Sequence, residues 1–195
     1  MFCETLADAR ATPLLLAWAR QKRAAARRSA VALVQSSAFQ QAQLGVLRWL
    51  HRNPWKSDVA LARFARQTLA RLHDGVIKHA RKIDWRDEQR RHAVRIRVKR
   101  LRYACDFFCA CFPRQAMLPF ISRLASLQDT LGELNDVAVA KRLLSSIVKP
   151  GEAASVRGSL ARRERELIGS LEPAWSAFEA KRPFWQPKRS RRARR

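Results

Sequence analysis

Helix-length segments separated by proline, asparagine and serine constrain the fold of this chain more than any other sequence feature. Glycine is scarce, with 6 residues in 195, and no stretch shows the sustained alternation of a half-buried strand. Several segments exceed about 24 residues, so they predict helices roughly 35–40 Å long that fold back on one another. The expected fold class is all-α, a bundle of long antiparallel helices.

Capping residues and prolines predict where these helices begin and end. Pro173 lies inside the last of them and is expected to kink it, because proline removes a helical hydrogen bond. The predicted helices run from Pro13 to about Val34, from Ser36 or Ser37 to near His51, from Ser57 and Asp58 to about Ile83, from Asp84 to Phe112, from Pro119 to near Ile147, and from beyond Gly151 toward Arg182.

Length and composition predict one helical domain over residues 1–182. A chain of 195 residues is long enough for one sizeable core, and a hydrophobic content of 47% excludes a disordered charge polymer. Residues 183–195 end in Lys188–Arg195, which has no apolar period. We therefore expect 183–195 to be a disordered basic tail.

The net charge of +24, from 40 Lys and Arg against 16 Asp and Glu, indicates an anionic partner. A compact body with this excess repels itself, and nucleic acid, a lipid surface or a phosphate polymer would relieve the repulsion. Cys105, Cys109 and Cys111 crowd together without matching cysteines elsewhere, which suits a reducing compartment. The apolar run Leu14–Ala17 is too short for a signal sequence or a membrane span. The expected location is the cytoplasm, with no membrane partner.

The segment from Arg90 to Tyr103 is the sharpest functional feature, with seven Lys or Arg between Arg90 and Arg102. At about 100° per residue it presents two stripes, and Arg97 and Arg100 point elsewhere. The apolar stripe is about 80° wide and should pack into the bundle; it consists of Val94, Val98, Leu101, Cys105 and Phe108. The basic stripe lies about 130° away; it consists of His92, Arg95, Lys99, Arg102 and Tyr103.

Like charges at helical spacing on the basic stripe repel one another in the free protein. An anion along the helix would remove that repulsion, and the arginine fork can bind phosphate oxygens in pairs. The alternative is a solvated face, or one paired with carboxylates from neighbouring helices. A bound polyanion would also favour the imidazolium form of His92, so binding should tighten at mildly acid pH.

A second informative stretch runs from Leu127 to Asp136. Gln128, Asn135 and Asp136 lie near the edge of an apolar stripe, and Asp136 is placed to hold an arginine in a fixed rotamer. Gly132 lowers helix stability by about 1 kcal/mol relative to alanine, so it predicts a tight helix crossing. The apolar stripe itself consists of Leu127, Leu131, Leu134 and Ala138.

Together the two stretches resemble the CHAD family, the conserved histidine α-helical domain. The pattern His92-x-x-Arg95-x-x-x-Lys99-Arg100-Leu101-Arg102-Tyr103 is similar to the family's first motif, and Leu127-Gln128 with Leu131-Gly132-x-x-Asn135-Asp136 to its second. The resemblance implies an all-helical fold of two repeats that binds inorganic polyphosphate in a basic channel. It implies polyphosphate-binding roles for His92, Arg95, Lys99, Arg100, Arg102 and Tyr103, with Gln128, Asn135 and Asp136 in support.

One departure from the family pattern concerns the number of basic helices. The family carries one in each repeat, whereas this sequence shows one. Residues 1–52 resemble the remainder of the first repeat and 57–182 the second, so the chain is expected to be N-terminally shortened. Arg20, Arg23 and Arg27 form another basic row, for which a solvated face is the favoured interpretation.

No pattern in the sequence supports catalysis. Glu164 and Glu166 have the spacing of the E-x-E-x-K strand found in the triphosphatases associated with this family, but Ile168 stands at the lysine position in a helical segment. The histidines lack metal-ligand spacing, and Cys105 lies on the apolar stripe. We expect no enzyme activity, no catalytic residues, no metal and no cofactor.

The function expected is binding of inorganic polyphosphate through the basic stripe. A nucleic-acid binder ranks second, because single-strand binding needs aromatic platforms and the stripe offers Tyr103 alone. A protein-docking or localisation module is the third hypothesis. The resemblance also suggests association with polyphosphate-metabolism proteins and location on polyphosphate granules.

Overall fold

The computed structural model describes residues 12–52, 60–147 and 154–186 and is helical, which confirms the expected all-α class. Within these ranges there is no β-strand, and no helix is long and apolar enough to cross a membrane. The chain divides into two compact units, residues 1–58 with 150–156 and residues 59–149 with 157–195. The helices are α1 (Thr12–Gln35), α2 (Ser37–Arg52), α3 (Leu61–Ala80), α4 (Glu88–Phe107), α5 (Arg114–Ile147) and α6 (Ala154–Glu179).

The described part of the first unit consists largely of α1 and α2, which follow one another with only Ser36 between them. Ser36 separates the two helices as the sequence predicts: its Oγ accepts a hydrogen bond from the Phe39 backbone N–H at 3.2 Å and donates to the Leu33 carbonyl at 2.6 Å. This satisfies one of the free N–H groups at the start of α2. The apolar side chains of α2 are largely exposed, and none is buried.

The second unit contains α3, α4, α5 and most of α6 around one apolar core. Contacts between helices run in sequence order from α3 to α5, and α6 packs its aromatic side chains against the others. Trp175 meets Trp85 at 6.0 Å between ring centroids, and Phe178 meets Phe120 at 5.4 Å. The largest fully buried side chains come from all four helices: Leu69, Val76, Val94, Val98, Leu101, Phe120, Leu124, Leu127, Leu131, Leu134, Leu171 and Phe178.

The ends of α4 and α5 differ from the predicted ones. Asp87, not Asp84, caps α4 by accepting a hydrogen bond from the Arg90 N–H at 3.0 Å; Asp84 instead closes the preceding turn, where it accepts from the Arg86 N–H at 2.9 Å. The helix stops at Phe107 and a 3-10 turn, Cys109–Cys111, follows. Pro119 lies in the second turn of α5 rather than at its start, so the helix lacks the hydrogen bond that an N–H at this position would donate to the carbonyl four residues earlier.

Two further predictions about packing were wrong, and parts of the prediction fall outside the described residues. Residues 183–186 are not a disordered tail: Trp185 is 4% exposed and its ring lies 5.0 Å from that of Phe120. Gly132 does not mark a tight crossing, since a Cβ added there would meet nothing within 4 Å. The rest of the predicted tail, 187–195, and the proposed cap at Ser57 and Asp58 fall outside the described ranges.

Candidate polyanion-binding site

The two stripes predicted on α4 face different environments. The apolar stripe is confirmed, because all of its members are buried and the most exposed of them, Phe108, is only 6% exposed. On the basic stripe, His92 and Tyr103 are exposed, whereas the three Lys and Arg side chains are half-buried: Arg95, Lys99 and Arg102. Half-burial holds their stems along the helix surface, which limits the positions that their charged groups can take.

Within the described residues, no carboxylate pairs with Arg95, Lys99 or Arg102. Other cations of the same unit do have acidic partners. The pairs are Arg91 and Lys141 with Glu164, Arg142 with Glu88, Arg163 with Glu133 and Glu166, Arg90 with Asp87, and Arg81 with Glu179. The basic stripe therefore retains positive charge that no carboxylate neutralises, on side chains that are themselves half-buried.

His92 connects the basic stripe to α5. Its Nδ1 lies 3.2 Å from Asn135 Oδ1; because an amide oxygen only accepts, Nδ1 carries the proton in this contact. A shallow depression at this end is lined by Glu88, Arg91, His92, Leu131, Asn135 and Ala138.

Of the supporting residues on α5, Asn135 and Gln128 lie beside α4, whereas Asp136 is exposed. Helix α5 runs antiparallel to α4, because Arg142 pairs with Glu88 at 2.7 Å while Asn135 meets His92. This register places Gln128, seven residues before Asn135, next to the turn of α4 that holds Lys99. Gln128 Oε1 is buried and accepts no hydrogen bond from the described residues.

Asp136 does not hold an arginine as predicted. It is exposed on α5, and no described cation pairs with it. The acid that pairs with an arginine of α4 from another helix is instead Glu164 on α6, which contacts Arg91 at 3.4 Å and also pairs with Lys141.

Arg91 is a structurally important residue that the sequence interpretation missed. It is 3% exposed, and its Nη1 donates to the Trp85 carbonyl at 2.8 Å. The helical period already placed it at the edge of the apolar stripe, three residues before Val94. What the period could not supply was its partner, because Glu164 lies 73 residues away in sequence.

Arg97 is held by its own helix, consistent with its predicted position away from the basic stripe. Its Nη1 donates to the Ala93 carbonyl at 2.9 Å. The side chain of Lys99, in contrast, extends toward the aromatic ring of Tyr103, with Nζ 5.5 Å from the ring centroid. This cation–π contact orients the ammonium without neutralising it.

The cysteines of this region are free thiols with different exposure. Burial raises the pKa of Cys105 to about 12, with a further contribution from the negative charge of Asp106. Cys105 is therefore an unreactive apolar side chain, while Cys109 is exposed and Cys111 half-buried. Among the described residues, no three His, Cys, Asp or Glu side chains are grouped to hold a metal ion.

Comparison with known proteins agrees with both the motifs and the architecture. The family model for the CHAD domain matches residues 1–145. The chain belongs to the CHAD family. The fold of this CHAD protein is similar to a crystal structure of the CHAD domain from the plant Ricinus communis, with 30% sequence identity and a TM-score of 0.74. That match covers 91% of this chain and 64% of the plant chain, so the present chain spans somewhat under two thirds of it. A search of curated proteins finds no match.

Proposed function

We propose that this CHAD protein binds inorganic polyphosphate through the basic stripe of α4 and does so without catalysing a reaction. The observation that carries the proposal is the row of Arg95, Lys99 and Arg102. These cations are half-buried and share a face, and no carboxylate pairs with them among the described residues. A folded protein normally compensates such a row, but Asp106, four residues after Arg102, forms no ion pair with it in the described part of the chain.

A linear phosphate polymer fits the spacing of the stripe. Positions three and four residues apart lie one above the other along a helix, so the cations form a line rather than a cluster. A chain with regularly spaced negative charges can meet several of them at once and release condensed counterions. The guanidinium groups of Arg95 and Arg102 can each bind two phosphate oxygens.

The position of the stripe within the CHAD motif also supports polyphosphate as the ligand. His92, Arg95, Lys99, Arg100, Arg102 and Tyr103 match the family motif on which the resemblance rests. Association with polyphosphate-metabolism proteins and location on polyphosphate granules follow as parts of the same proposal. Glu164 and Glu166, the two residues with E-x-E spacing, lie on α6 and form ion pairs with cations of the same unit. Their structural use, without a lysine at position 168, supports a non-catalytic role.

Alanine substitutions can separate the stripe from the total charge of the protein. Arg95→Ala, Lys99→Ala and Arg102→Ala each remove one cation from the stripe, whereas Arg97→Ala removes one that is bonded to its own helix. All four change the net charge equally, so long-range attraction changes equally. A charged contact contributes about 1.5–3 kcal/mol, so each stripe variant should bind polyphosphate roughly ten- to a hundredfold more weakly.

Titration calorimetry with polyphosphate at several salt concentrations measures this difference. Stripe variants should also show a shallower dependence of log K on log[salt], because they release fewer counterions, while Arg97→Ala stays near wild type. Equal losses in Arg97→Ala and Arg102→Ala would show that the stripe is not a specific site. Release of phosphate from polyphosphate with added Mg²⁺ or Mn²⁺ would contradict the non-catalytic part of the proposal.

A further inference from the structure

The surface of α4 changes chemistry near its C-terminal end. Asp106 follows Arg102 by four residues and is exposed, so a carboxylate stands where the next cation of the row would lie. Beside it the side chains are aromatic: Tyr103 is 58% exposed and Phe107 is 79% exposed. A polymer of phosphate alone has no apolar surface to place against these rings.

The two rings lie on one side of the helix, and cations lie next to them. Tyr103 and Phe107 are four residues apart, hence neighbours on the helix surface. Lys99 approaches the Tyr103 ring at 5.5 Å, and Arg100 is exposed three residues before Tyr103 and seven before Phe107. Phe107 meets the buried Phe108 edge-to-face at 5.0 Å, which supports its ring against the core.

We propose that Tyr103 and Phe107 form a nucleobase-stacking subsite, so that this face of α4 binds single-stranded nucleic acid as well as base-free phosphate chains. Phosphates lie along Arg95, Lys99 and Arg102, and unpaired bases stack on the two rings. Exposed aromatic rings beside a row of cations are how proteins bind single strands with little sequence preference. The inference rests on the proposed function, because it requires the basic stripe to bind phosphate.

The chemistry of the subsite favours single strands over other occupants. A duplex hides the faces of its bases, so it offers the rings nothing to stack on. A second copy of this chain would bring another set of cations against Lys99 and Arg100, which repels it. A single strand supplies negative charge and flat apolar surface together.

Three ligands with the same number of phosphates separate the contribution of the bases from that of the phosphates. These are oligouridylate, an abasic strand of the same length, and inorganic polyphosphate, each titrated at matched ionic strength. Phe107→Ala should weaken oligouridylate binding by about five- to a hundredfold, the range for loss of one base stack. Its affinity for the abasic strand and for polyphosphate should stay within about twofold of wild type, because no phosphate contact is removed.

Phe107→Trp and Leu143→Ala serve as the matched controls. Phe107→Trp keeps an aromatic platform and should keep the affinity for oligouridylate. Leu143 is 42% exposed on the turn of α5 that meets the opposite end of α4, next to Arg142, and its substitution should leave every affinity unchanged.

Equal affinity of wild type for oligouridylate and the abasic strand would overturn the stacking subsite, even if polyphosphate binds. Equal loss on all three ligands in Phe107→Ala would also overturn it, since the ring would then act on the helix rather than on bases. Failure of polyphosphate to bind, with oligouridylate bound through Phe107, would instead contradict polyphosphate as the ligand.

Discussion

Helices α2 and α3 carry similar apolar faces, yet only one of them buries its face. On α3, Leu69 and Val76 are fully buried. On α2, Val46 and Leu47 remain 58% and 60% exposed. Amphipathic patterning therefore forms a helix in both units, but burial requires a partner surface that the pattern does not specify.

The two units also differ in how their charges are balanced. Residues 12–52 contain no Asp or Glu, so no ion pair can form within or between α1 and α2. In the unit of α3 to α6, some cations pair with acids on facing helices, such as Glu164 and Glu133, whereas those of the basic stripe do not. The cations of α1 and α2 are Arg20, Lys22, Arg23, Arg27, Arg28, Arg48 and Arg52.

The largest expected difference between the units concerns loss of a core side chain. Phe120→Ala removes a fully buried ring that contacts Phe178 and Trp185, and it should lower the free energy of unfolding by about 3–5 kcal/mol. Leu47→Ala, on the exposed face of α2, should change it by no more than about 0.5 kcal/mol. Urea unfolding followed by circular dichroism measures both. A large effect of Leu47→Ala would show that this face of α2 is buried in solution.

A smaller effect is expected where a buried charge loses its partner. Glu164→Gln leaves the Arg91 guanidinium, 3% exposed, with the Trp85 carbonyl as its remaining described partner. Loss of a fully buried pair costs about 3–5 kcal/mol; Glu164 is 23% exposed, so we expect about 2–4 kcal/mol. The control is Glu179→Gln, whose pair with Arg81 is exposed and contributes less than about 1 kcal/mol. Equal effects in urea unfolding would mean that Arg91 is solvated by another route.

The smallest expected effect is a pH dependence of stability that arises in the second unit. His73 packs against Phe120, Phe178 and Trp185 at 5.7–6.0 Å. Burial lowers its pKa below 6.5, and this outweighs the opposite effect of the Asp74 carboxylate. In the pH range between that lowered pKa and about 6.5, the unfolded chain binds a proton that the folded chain does not. The free energy of unfolding therefore decreases as the pH is lowered through this range.

His73→Phe retains an aromatic ring among the others and removes the titrating group. Its melting temperature should therefore fall less than that of wild type between about pH 7 and pH 5. Differential scanning calorimetry at matched ionic strength measures the difference between the two proteins. Parallel pH profiles would contradict a role for His73.

Local patterns predicted much of the candidate site. The helical period placed Val98 and Leu101 in the core and Arg95 and Lys99 on a second face, because neighbouring residues on one helix set that geometry. The same rule failed at helix ends, where Asp84 and Asp87 are chemically equivalent caps. Which of the two caps α4 depends on the path of the turn that follows α3, where Lys82 takes a left-handed conformation with φ of 61°.

Charge and 3.6-residue periodicity are local properties, so the sequence alone was enough to predict a helical, strongly basic chain with a row of cations along one face of α4. Contacts between helices, in contrast, set which cations have acidic partners. Glu164 reaches Arg91 from α6, and Asn135 reaches His92 from α5, across separations that no local rule covers. Packing likewise ordered Trp185 against Phe120, because burial of a ring is decided by the surface that it meets.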